Sequence, residues 1–220
     1  MNSIKAVEKK KKQVFKPLLD NPFTQAQFPR IEPSIQSQIL DFLIHILEDI
    51  GKYESLKSTS SKSNNKFTLE KPEILDHITL GFNSTVQKLE SQAQGKPQKQ
   101  IISYVLVCKA DIQPSLITSQ FPVLSYTASS EHNKVKLVQL PKGSIEKIEK
   151  VLGKKNGIIG LSKTEFLPNA FIKLLDDVPN VEVPWLENIR FVKPNIKLLE
   201  TTATIAPKKD KNKNNKVGKK

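Results

Sequence analysis

Cysteine occurs once in this chain, as Cys108 inside the apolar run YVLVC, so neither a disulfide framework nor a cysteine-rich metal site can form. That usage points to a reducing compartment. No apolar stretch approaches the roughly 20 residues that span a bilayer, and the N-terminus carries no signal-peptide core, so no membrane partner is expected. Asn83-Ser84-Thr85 matches a glycosylation sequon, which is set aside without a secretion signal. Catalytic signatures are missing too. There is no Walker loop, no dinucleotide-binding glycine pattern and no Gly-x-Ser-x-Gly elbow. His45, His77 and His132 are scattered, and no pair of them has helical metal-ligand spacing. Asp176-Asp177 and Glu182 are the densest acids and read as a solvated helix end. The expectation is no catalytic residue, no metal and no cofactor.

What is present is positive charge, unevenly placed. The formal excess is +13 over 220 residues. Lys5, Lys9, Lys10, Lys11, Lys12 and Lys16 stand near one end against Glu8, and Lys208, Lys209, Lys211, Lys213, Lys216, Lys219 and Lys220 stand at the other against Asp210. The body between is close to neutral. Basic ends of this kind suit a polyanion, most commonly nucleic acid, or act as nuclear-localisation signals; solubilising ends are the plainer alternative.

The chain divides by composition. Residues 1–33 form a basic arm punctuated by Pro17, Pro22, Pro29 and Pro33, which forbid a long helix, while Phe15, Leu18, Leu19, Phe23 and Phe28 give it apolar anchors. Residues 34–175 read as an α/β domain with a flexible polar insertion at 57–66. SIQSQILDFLIHILEDIGKY has helical periodicity, with Ser34 as N-cap and Gly51 as the stop. PEILDHITL is helix-like. IISYVLVCKAD is continuously apolar and β-branched, as in a strand buried on both faces, with Cys108 a small core residue. VKLVQL is a second strand, SIEKIEKVLG a helix capped by Ser144, and GIIGLSK a third strand. FLPNAFIKLLDDVPN reads as one more helix. Residues 176–206 form an irregular C-terminal extension holding Trp185, and 207–220 a basic, disordered tail. Alternation of helix and strand implies a three-layer α/β/α sandwich with a central mixed sheet, plus extended N- and C-terminal arms.

The stretch LGFNSTVQKLESQ combines two poor helix formers, Gly81 and Asn83, with a helical run. Ser84 and Gln87 match a capping box, which accounts for the helix start structurally. Gly81 is left over. A glycine lets backbone approach a ligand, a helix N-terminus offers unpaired N–H groups, and Asn83 carries the paired donor and acceptor that read base edges, with Lys88 one turn on.

GFNSTVQKLE, then YVLVCKADIQPSLITSQFPVLSY, then VKLVQLPKGSIEKIEKVLG, resemble over residues 72–163 the kink-turn RNA-binding fold of ribosomal and box C/D proteins. Outside that region, VFKPLLDNPFT and VPWLENIRFVKPNIKLL resemble the fungal POP-family protein subunits of nuclear RNase P and RNase MRP. The resemblance implies a non-catalytic subunit of ribonucleoproteins whose RNA cleaves precursor tRNA and precursor rRNA, in the nucleus and nucleolus. Its implied partners are RNase P RNA, RNase MRP RNA and the other protein subunits. Gly81 and Asn83 match the fold's Gly-x-Asn-Glu-x-x-Lys start, whereas Ser84 replaces the Glu, Gln87 the Lys, and Gln113 an acidic residue before Pro114. The implied RNA-binding set is Gly81, Asn83, Ser84, Gln87, Lys88, Gln113 and Lys142, with less sequence specificity than the parent motif. Alternatives are a protein–protein adaptor in the same particle, working through the Pro-rich arm and the Trp185 segment, a box C/D or ribosomal kink-turn binder, and an RNA-modifying enzyme.

Overall fold

The unbroken apolar run YVLV becomes a strand, β3 (Tyr104–Val107), with every residue buried. Successive strand side chains point to opposite faces, so such a strand needs cover on both sides. It has that cover in this computed structural model, which describes residues 11–23, 25–60, 70–188 and 190–204. Tyr104 and Leu106 join one apolar cluster with Val138, Ile159 and Leu161. Val105 and Val107 join a second cluster with Leu137 and Ile158.

The sheet has four strands in the order β2 (Ile78–Leu80), β5 (Ile158–Leu161), β3, β4 (Lys136–Gln139). β3 runs parallel to β4, with Tyr104 opposite Lys136, and antiparallel to β5, with Tyr104 opposite Leu161. β2 closes one edge antiparallel to β5. On the first face lie α1 (Pro33–Ser60), α5 (Ser144–Leu152) and α6 (Asn169–Asp176), which bury Ile39, Leu43, Leu47, Ile148, Phe171 and Leu175. On the second lie α2 (Phe82–Ala93) and α4 (Phe121–Thr127), through Leu89 and Phe121, and between them in sequence comes the single turn α3 (Leu116–Ser119). The expected three-layer α/β/α sandwich with a mixed sheet is present.

Four local expectations are corrected. Gly51 does not end its helix: α1 runs on to Ser60, and the rest of the polar stretch to residue 66 lies outside the described residues. Nor does Ser34 stand ahead of α1, which already begins at Pro33. PEILDHITL divides into a 3₁₀ turn, Glu73–His77, and the strand β2, because Ile78 and Thr79 are pulled into the sheet opposite Leu161 and Gly160. Ser144 does not cap α5. The cap position is Gly143, at φ 84°, and Ser144 instead donates its hydroxyl to the Pro141 carbonyl (2.5 Å).

The contacts of the chain define two compact units, one of residues 25–188 and one made from the chain's two ends. Within the second, the N-terminal arm, expected to be extended, and the C-terminal extension, expected to be irregular, each contribute a strand. β1 (Lys11–Asp20) pairs antiparallel with β6 (Asn195–Thr204) along ten residues, from Lys11 opposite Thr204 to Asp20 opposite Asn195. Pro17 is tolerated because a two-stranded ribbon leaves outward-facing positions that need no ladder N–H. Lys197 forms a salt bridge with Asp20 at 2.5 Å. A short helix, α7 (Pro184–Glu187), carries Trp185 in the first unit.

Candidate nucleic-acid interface

Gly81 joins β2 to α2 at φ 91°, a conformation that L side chains rarely adopt. Its N–H donates to the Ile158 carbonyl (2.9 Å), and its own carbonyl accepts from the Thr85 N–H (3.2 Å) and hydroxyl (2.8 Å). No side chain caps α2. The expected capping box is absent, because the helix begins at Phe82 and places Ser84 inside the first turn. Asn83, Ser84 and Gln87 are all exposed, and the first-turn N–H groups have no intrahelical carbonyl to meet.

Three further loops gather beside this turn. The Asn156 side chain, just ahead of β5, lies 3.7 Å from where a Gly81 β-carbon would stand. Next to it, the Gly157 carbonyl accepts the Cys108 N–H (2.8 Å), and a β-carbon on Gly157 would sit 2.9 Å from Ile112 and 2.9 Å from Ile145. Asp111 ties the other two loops together: its carboxylate accepts the Gly143 N–H (2.8 Å) and the Ile145 N–H (3.2 Å), supplying α5 with the cap that Ser144 does not. Gln113 and Lys142, both exposed, stand on the loops so joined. Below them burial, and secondarily the Asp111 carboxylate, push the Cys108 thiol up to about 12, so it stays a protonated core group.

Not all the predicted residues share this rim. Lys88 donates to the Thr79 hydroxyl (2.8 Å), and with Gln87 it lines a separate groove on the C-terminal half of α2. Lys154 and Lys155 of the loop carrying Asn156 are drawn to Glu54 (2.8 Å) and Glu149 (3.9 Å). Among the described residues no cluster of three His, Cys, Asp or Glu could hold a metal ion, and no helix is long and apolar enough to cross a membrane.

The sequence model of the RNase P subunit Pop3 family matches residues 10–188, which include all of the rim. The chain belongs to that family. Within it, the Saccharomyces cerevisiae ribonucleases P/MRP protein subunit POP3 is 32% identical over 220 residues, covering 94% of this chain and 97% of the relative. Among solved structures, the Giardia lamblia 15.5kD RNA binding protein is 16% identical with a TM-score of 0.38, covering 70% of this chain and 93% of its own. That likeness is too remote to bear on function.

In this Pop3-family chain, composition singles out Gly81 and its neighbours but not Asn156 and Asp111, which the fold brings beside them. KKNG before an apolar strand was the available signal for Asn156. Nothing local marks Asp111, whose partners lie more than thirty residues away in sequence.

Proposed function

We propose that this chain is a non-catalytic RNA-binding subunit of RNase P and RNase MRP, supporting 5′ maturation of precursor tRNA and processing of precursor rRNA. The observation that carries the reading is the Pop3-family match across residues 10–188. The RNA component performs the cleavage, and the protein works in the nucleus, the nucleolus included. The rim gives the reading its chemistry. Asn83 and Asn156 bring amides that read base edges, Gln113 a third, and Lys142 a phosphate contact, around a backbone turn that Gly81 leaves uncovered. Pull-down of the tagged protein with sequencing of its RNA tests this. Enrichment of both RNase P and RNase MRP RNAs is expected, and the purified protein alone leaves precursor tRNA uncut. Enrichment of box C/D or ribosomal RNA instead overturns it.

A second role in the same particle, contact with other protein subunits, is favoured by the ribbon of β1 and β6. By its register one face holds Phe15, Pro17, Leu19, Ile196 and Leu198, and Leu19 and Leu198 are 72% and 66% exposed. A two-stranded ribbon is marginal in water by itself, and an apolar face suits a protein neighbour better than RNA. Removing 13–20 breaks assembly with the other subunits and spares binding of isolated RNA.

A further inference from the structure

Past the end of α2 the chain reverses at Gly95 (φ 66°) and returns beside the same helix. The return is tied down at two places. Gln98 donates its side-chain amide to the Lys88 carbonyl (2.8 Å). Gln92 clasps Ile102, accepting its N–H (3.0 Å) and donating to its carbonyl (3.1 Å), and donates also to the Ala128 carbonyl (2.8 Å). Between helix and return lies an open groove of about 740 Å³, lined among others by Gln87, Lys88, Ser91, Lys96, Lys99 and Gln100.

Its chemistry is specific. Lys88, Lys96 and Lys99 form no salt bridge among the described residues, and Asp76, the single carboxylate of the lining, is already paired with Lys71. The excess is cationic, which fits phosphate. The remaining lining is mostly neutral amide, and each glutamine offers both donor and acceptor, which fits ribose and base edges. Gln98 is itself held in the wall by its bond to the Lys88 carbonyl, which leaves Gln87 and Gln100 as the amides open to a ligand.

We propose that this groove holds a second stretch of the bound RNA, continuous with the strand at the Gly81 rim, and that Gln87 and Lys88 serve this groove rather than the rim. The inference rests on the RNA-binding reading above. The reach is right: Asn83 to Ser91 spans about 12 Å of helix at ~1.5 Å per residue, the rise of three to four stacked nucleotides at ~3.4 Å each. α2 therefore acts as a ruler along which one strand passes from the loops to the lysines.

The test uses the full-length protein and a transcript of RNase P RNA, with affinity measured against salt. The K96Q/K99Q double variant is compared with K147Q/K173Q, whose lysines lie on α5 and α6 in the opposite helical layer. For the groove pair we expect affinity about tenfold lower near physiological salt and a salt slope shallower by about two. The control pair keeps both values. Photocrosslinking of the wild-type complex is expected to join residues 94–100 to RNA, an arm that needs no substitution. An unchanged groove variant, an equal loss in the control, or crosslinks confined to the rim would each overturn the inference while leaving the RNA-binding reading intact. A wild-type protein that binds no RNA removes both.

Discussion

Gly51 of α1 meets the backbone of Val151 of α5 so closely that a β-carbon on Gly51 would stand 2.0 Å from the Val151 carbonyl oxygen. Two effects compete in a Gly51→Ala variant. Helix propensity favours alanine by about 1 kcal/mol, whereas overpacking against backbone costs about 1–3 kcal/mol and cannot relax through a rotamer. Packing wins, so the variant is expected to be less stable in urea titration. A gain in stability would mean that the helices separate freely.

Asp111→Ala is expected to lower stability by about 1–2 kcal/mol, since two N–H groups at the start of α5 lose their acceptor together. Asp111→Asn keeps one acceptor oxygen and should recover part of the loss. Equal losses in the two would assign the effect to charge rather than to capping.

Acid sensitivity is expected to centre on Asp176. Burial raises its carboxyl, but hydrogen bonds from Lys163 (2.8 Å) and from the Tyr104 hydroxyl (2.7 Å) outweigh that and hold it below its ordinary value of 3.8. A carboxyl lowered on folding stabilises fully above its unfolded value, and that contribution is lost as pH falls through the folded one. Unfolding free energy should therefore drop below about pH 4, and Asp176→Asn should flatten that part of the profile. An unchanged profile in the variant would place the acid response elsewhere.

Asn83→Ala is expected to leave stability within about 0.5 kcal/mol, because the side chain is exposed and caps nothing. Its affinity for RNase P RNA should nevertheless fall about tenfold, the loss of a paired base-edge contact. Calorimetric unfolding and RNA titration of one preparation separate the two effects. Unchanged RNA affinity would move the contact off this turn.

The body of the fold was legible because periodicity carries it: YVLV is apolar at each position, and the stripe from Ile39 to Ile50 faces one core. Features set by distant partners were not. Gly51 resembles a helix stop until Val151 is placed against it. Ile78–Leu80 is too short for alternation to distinguish from the end of a helix, and β5 alone makes it a strand. Pro17 hides β1 from any propensity argument, since the pairing partner lies at the other end of the chain. The site divides in the same way. Gly81 announces itself by composition, and its φ of 91° explains why glycine stands there. Asn156 becomes its neighbour only once β2 and β5 pair. Ser84 and Gln87 matched a capping pattern and yet cap nothing, because Gly81 fixes the first turn from outside it.

The ribbon of β1 and β6 has a topological consequence. Lys11 sits across from Thr204 and Asp20 across from Asn195, so two stretches remote in the covalent chain share one ladder. Lys12 and Lys16 of β1 thereby share one face of the ribbon with Lys197 of β6. Each strand is the other's sole ladder partner among the described residues, so loss of either one leaves the other unpaired.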